Sequence, residues 1–138
     1  MHKKTIRIGL IVVIGLTLVL FVTLTSGNDG AGDSLTQEEV ESGLDLQKNG
    51  ANGTYTVNLI SGDFGQESEG KVLNDTDCTP DEEGISRCHN DIELVDSDKE
   101  VTIVNPHNMK NNRCLRPGET VHLSRSQNGK VTVKLMEF

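Results

Sequence analysis

The chain has no tryptophan, one tyrosine and three phenylalanines in 138 residues. That scarcity excludes an aromatic platform on which bases or sugars would stack. Cations are scarce too: 13 Lys and Arg stand against 21 Asp and Glu, a formal charge of −8. A nucleic-acid binder needs an excess of Lys and Arg to displace phosphate counterions, so no nucleic acid is expected as a partner. Also missing are the G-x-S-x-G elbow, the H-E-x-x-H zinc helix and the Walker glycine loop. Nothing in the sequence asks for catalysis, and an enzyme built from residues scattered along the chain is the weaker reading. At roughly 100–200 residues per domain, the length leaves room for one.

What is present is strongly segregated. Residues 1–27 carry Lys3, Lys4 and Arg7 and no acid; residues 28–104 hold four basic and nineteen acidic residues; residues 105–138 hold six basic and two acidic. The acidic average is thus a basic stub, an acidic stretch and a basic C-terminal third.

The basic stub over 1–7 leads into an uncharged run over 8–24 rich in Ile, Val and Leu. As a helix that run is about 25 Å long, against ~30 Å for a hydrocarbon core, and adding 25–27 brings it to about 20 residues, enough for one span. A cleaved secretory signal has an apolar region of about 7–15 residues and an A-x-A-like exit. Here the run is longer and Thr23-Leu24-Thr25-Ser26-Gly27 is no such exit. The reading is a transmembrane signal-anchor over 8–27. Three cations before it, and Asp29 and Asp33 after it, orient it with the N-terminus inside and the rest outside. The expected location is the plasma membrane, single-pass, and the membrane is the first expected partner.

Residues 28–53 read as a tether with one short helix. Ser, Gly, Asn and Asp dominate up to Ser34. Thr36 and Glu39 then form a capping box, and the helix should run to about Gln47 with Val40, Leu44 and Leu46 inward. Gly43 weakens it, since glycine costs about 1 kcal/mol against Ala in a helix interior.

From residue 54 the pattern changes to period two with repeated turns. Candidate strands are 55–60, 70–73, 91–95, 100–104, 120–124 and 130–135. Val131, Val133 and Leu135 alternate with Lys130, Thr132 and Lys134, which gives one dry and one wet face. Asn128-Gly129 should join the last two strands as a hairpin, 96–99 the central pair, and Pro117-Gly118 fits a type II turn. The expected fold is mainly β, with residues 54–138 forming a small antiparallel barrel or sandwich of about six strands outside the membrane. The phrase 115–123, Leu-Arg-Pro-Gly-Glu-Thr-Val-His-Leu, resembles a turn-then-strand phrase common in small barrels of the oligonucleotide-binding and SH3-like types. The resemblance implies a shape and names no family.

An exported domain meets an oxidising environment, where paired cysteine is the default. Cys78 and Cys88 flank an acidic Pro- and Gly-containing loop ten positions long and are the preferred disulfide, with Cys88–Cys114 as the alternative. Closing a loop of that size should stabilise by about 2.5–3 kcal/mol on a chain-entropy argument. Cys88, His89, His107, Met109, Cys114 and His122 together are the soft ligands that copper prefers, although no spacing among them matches a blue-copper or zinc pattern. In a strand, adjacent Cys88 and His89 would point to opposite faces, so they are no ready-made nucleophile and base. The plain alternative is one disulfide, a buried thiol and surface histidines, with no cofactor.

Two weaker signals remain. Asp75 to Glu83 is rich in acids, but Pro80 stands where a calcium loop needs Gly, so a solvated acidic loop is expected. Lys110, Arg113, Arg116, Arg125, Lys130 and Lys134 form a basic set that suits an acidic partner or pairs within the domain. Two function classes follow. The first is a membrane-anchored, extracytoplasmic, non-catalytic accessory module that binds another membrane or extracytoplasmic protein. The second is an extracytoplasmic copper-binding, less readily zinc-binding, or redox protein.

Overall fold

The computed structural model describes residues 35–137. The stub over 1–7, the signal-anchor over 8–27 and the start of the tether lie outside them. Among the described residues no helix is long and apolar enough to cross a membrane.

Six antiparallel strands form a closed barrel: β1 (Thr54–Ser61), β2 (Glu67–Val72), β3 (Ile85–Leu94), β4 (Glu100–Asn108), β5 (Thr120–Arg125) and β6 (Val131–Leu135), in the order β1-β4-β3-β2-β5-β6. Closure leaves no sheet edge to protect. All six expected strands are present, and the choice between barrel and sandwich falls to the barrel. The alternation along each strand fills its interior: Val57, Leu59, Val72, Ile92, Leu94, Val101, Ile103, Val121, Leu123, Val131, Val133 and Leu135 are buried in one cluster. β2 crosses close over this core. A Cβ on Gly70 would lie 2.4 Å from Cγ2 of Ile92, so the strand needs glycine there.

The turns follow their residues. Glu119 N–H donates to the Arg116 carbonyl at 3.2 Å, with Gly118 at φ 90°, the type II turn that Pro117-Gly118 suggests. At the β5–β6 hairpin Gly129 takes the positive φ, and its N–H donates to the Ser126 carbonyl at 3.0 Å.

The short helix differs from expectation. α1 spans Gln37–Ser42, and its capping box is formed by Thr36 and Glu39. It stops at Gly43 instead of reaching Gln47, and the chain continues as turns, with Leu44 N–H on the Glu41 carbonyl and Lys48 N–H on the Asp45 carbonyl. Glycine offers the helix no side-chain packing and a high entropic cost, and the helix ends where it first meets one. Arg87 of β3 ties α1 to the barrel through Glu41, at 2.7 and 3.2 Å.

One seam of the barrel is opened and refilled. β1 pairs with β4 only at its far end, Asn58 with Val104 and Leu59 with Ile103. Closer to Pro106, which has no N–H to give a ladder, the Asn49 side chain enters between the strands. Its amide donates to the carbonyls of Thr56 at 2.8 Å and Pro106 at 2.7 Å, and its oxygen accepts from Thr56 N–H at 2.8 Å.

Candidate functional site

At the end of the barrel beside that seam, the interior turns polar. β3 and β4 extend further than their apolar pattern suggests, because Cys88 stands opposite Asn105 and Ser86 opposite His107 in register. Directly opposed residues of an antiparallel pair share a face. Ser86, Cys88, Asn90, Asn105 and His107 are all fully buried.

The β2–β3 connection, residues 73–84, folds back along β3. Thr76 and His89 exchange backbone hydrogen bonds of 2.9 and 2.7 Å. Asn74 accepts from Asp91 N–H and donates to its carboxylate, while Thr102 donates to the other carboxylate oxygen at 2.6 Å. Those side-chain donors, Thr102 foremost and then Asn74, hold the Asp91 carboxyl below its ordinary range. With the loop anchored there, the Asn90 amide donates to the Asn74 carbonyl and to Asp75 Oδ1, each at 2.9 Å. Asp75 is half-buried, not part of a fully solvated loop.

Cys78 follows three residues later and bonds to Cys88, with their Cα atoms 4.5 Å apart. The Ser86 hydroxyl holds it from behind by donating to the Cys78 carbonyl at 3.0 Å. Cys114 is a free thiol. It is carried in by the β4–β5 connection, whose Leu115 is buried under the barrel. The neighbouring backbone is pinned twice: the Tyr55 hydroxyl donates to the Arg113 carbonyl, and the Arg113 guanidinium grips Glu119 at 3.0 and 2.7 Å and the Cys114 carbonyl at 3.0 Å. Burial opposes ionisation of Glu119, yet the hydrogen bonds from Arg113 and Arg116 outweigh it and lower its carboxyl. The result is one centre. A donor atom from each of Asp75, Cys78, Cys88 and Cys114 lies within 4.8 Å of every other.

The electrostatics of this centre keep Cys114 protonated. Burial, followed by the charge of Asp75 and its hydrogen bond with the thiol, pushes Cys114 up to about 11. His107 lies alongside, its ring edge-on to Tyr55 at 5.6 Å and its Nδ1 3.1 Å from the Asn105 carbonyl oxygen. Burial lowers its pKa, partly offset by the Asn105 carbonyl and Asp75. Among the described residues, His107 Nε2, Asn90 Oδ1 and both amide atoms of Asn105 have no protein partner.

Of the soft ligands expected from the sequence, the structure brings Cys88 and Cys114 together, adds Cys78 and Asp75, and places His107 in the same end of the interior. The others go elsewhere. His89 faces outward from β3, 3.4 Å from Asp77, and His122 stands outside β5, 3.9 Å from Glu67. Met109 lies past the end of β4 and lines an open groove of about 420 Å³ with Lys110 and residues 80–84. Two members of the basic set pair within the domain. Arg113 pairs with Glu119; Arg125 pairs with Asp63 at 2.9 Å and lies over the Phe64 ring; Arg116, Lys130 and Lys134 are exposed. Asn90, Asn105 and Tyr55 were missed as site residues. The readable signal for the first two was polar side chains at period two with Cys88 and His107, 88 with 90 and 105 with 107.

No family model, no curated protein and no solved structure matches this chain. The Cys/Asp centre is chemically able to hold a metal, and its three sulfurs are within reach of thiol–disulfide chemistry.

Proposed function

We propose that the domain is a thiol–disulfide redox module, held at the outer face of the plasma membrane by the signal-anchor over 8–27. Its position outside rests on the Lys3, Lys4 and Arg7 flank and on an unbroken uncharged run. The redox reading rests on one observation: a free thiol, Cys114, lies within 4.8 Å of both sulfurs of the Cys78–Cys88 disulfide. The Cys114 thiolate attacks Cys88 Sγ. A Cys88–Cys114 bond forms, the Cys78–Cys88 bond breaks, and Cys78 leaves as a thiolate that takes up the proton Cys114 gave to solvent. No electrons are gained or lost. Cys78 and Cys114 are both half-buried and Cys88 is fully buried, so exchange moves the free thiol from the β4–β5 connection to the β2–β3 loop while Cys88 stays bonded inside.

Because the thiolate is the attacking species, a Cys114 thiol pushed up to about 11 makes the resting arrangement durable at neutral pH. Alkylation of the full chain in detergent micelles, quenched in acid and mapped by mass, tests this. Near neutral pH, Cys114 should label about 100-fold more slowly than in the denatured chain, because its pKa is raised from 9.0 to about 11. Above about pH 10, label should appear on Cys78 together with a Cys88–Cys114 bridge. Label confined to Cys114 at every pH overturns the exchange and leaves a disulfide-stapled accessory module.

A further inference from the structure

We infer that reduction of Cys78–Cys88 converts this centre into a closed metal site, three thiolates and the Asp75 carboxylate, for one thiophilic d10 cation, Cu(I) or Zn(II). It rests on the redox reading only in needing the disulfide to open. An external dithiol supplies two electrons and two protons and becomes a disulfide, leaving Cys78 and Cys88 as thiols beside Cys114. The cation then displaces the three thiol protons to solvent.

The geometry supports the step. Zinc–sulfur bonds of about 2.3 Å place the sulfurs of a tetrahedral centre about 3.8 Å apart. No pair of the four donors exceeds 4.8 Å here, so the site closes by small side-chain movements. Three thiolates and one carboxylate also satisfy either preference: soft sulfur for Cu(I), or a four-donor closed set for Zn(II).

The surroundings point the same way. Asn90 already orients the Asp75 carboxylate from within the fold, as the outer partners of a metal ligand do. The buried, unpartnered atoms of Asn105, directly opposite Cys88, and of His107 belong to residues on the same interior face as Cys88. Polar atoms are not left this way in a site meant to stay apolar. Outside the centre, Asp77, Glu82 and Glu83 give the loop a field that draws cations in.

The test uses the full chain in detergent micelles, without oxygen, in reduced and oxidised form. Cu(I) is offered against a coloured chelator and Zn(II) in a separate arm. The expected result is one equivalent of at least one cation on the reduced chain and less than about a tenth on the oxidised chain, with Asn90→Ala weakening binding about 10-fold. Protection of all three cysteines from alkylation in the loaded wild-type chain reads the ligands without relying on a variant. Equal binding by the oxidised chain overturns the inference, because the ligands then lie elsewhere. So does a reduced chain that takes neither cation, or one whose Cys114 alkylates as fast loaded as empty. Exchange of Cys78 label without metal uptake would leave the redox reading standing and remove this one; uptake without exchange would do the reverse.

Discussion

The two halves of the barrel interior are built on opposite rules. Towards the turn at 96–99, Ile92 faces Val101 and the surrounding side chains are aliphatic. Towards the disulfide, the same two strands place Cys88 opposite Asn105 and Ser86 opposite His107. In the first half the strand residues that fill the interior are apolar and gain by leaving water, with Arg125 laid over Phe64 at the rim. In the second, several amide and imidazole atoms leave water without gaining a protein partner. Burying such atoms is unfavourable, so the apolar half must carry the fold while the polar half is free to carry chemistry. The disulfide and the pinned Cys114 segment compensate locally.

The largest effect that would break this division comes from the apolar half. Ile92→Ala removes a fully buried side chain packed against Gly70, and should destabilise by about 2–5 kcal/mol. Urea unfolding followed by circular dichroism measures it. A loss below about 1 kcal/mol would mean that the apolar half does not bear the load assigned to it.

The same division decides what was legible in the sequence. Strands whose inner residues are Val, Ile and Leu announce themselves by alternation, and β1, β5 and β6 lie within a residue of where the pattern places them. β3 and β4 were foreshortened to 91–95 and 100–104, yet they run over Ile85–Leu94 and Glu100–Asn108. The missing turns of the pattern are Cys88, Asn90, Asn105 and His107. Polar residues at inward positions look like loop when periodicity is read as apolar against polar. The Cys78–Cys88 bridge was readable from spacing and compartment. The approach of Cys114 was not, because it depends on an eleven-residue connection laid across the barrel end and held by Tyr55 and Glu119. Asp75 was hidden among its acidic neighbours, and only the fold, through the Asn90 hydrogen bond and the nearby sulfurs, singles it out.

A substitution in the polar half sharpens the comparison with the opposite sign. Asn105→Leu exchanges two unpartnered polar atoms for methyl groups of similar volume, and should stabilise by about 1–3 kcal/mol. The same unfolding measurement reads it. Destabilisation of that size would show that ordered water already satisfies Asn105 and that the polar half is built as a complete network.

The smallest effect is a slope. His107 is fully buried, and burial lowers its pKa below 6.5, offset in part by the Asn105 carbonyl and Asp75. The unfolded chain therefore binds a proton at a pH where the folded chain does not. Stability contributed by the neutral ring is complete above the unfolded value, and is lost as pH falls from about 6.5 towards the lower folded value, by at most about 1.4 kcal/mol per pH unit. Glu41 and Asp81, whose carboxyls lie below their ordinary values, lose their share only in more acid solution. A comparison of the wild-type chain with His107→Gln between about pH 7.5 and 5.5 isolates the ring from them. The wild type should lose stability more steeply than the variant over that window. Parallel slopes would mean that His107 titrates as it does in water, which would require solvent to reach the imidazole and would dissolve the contrast between polar groups buried without partners at one end and apolar packing at the other.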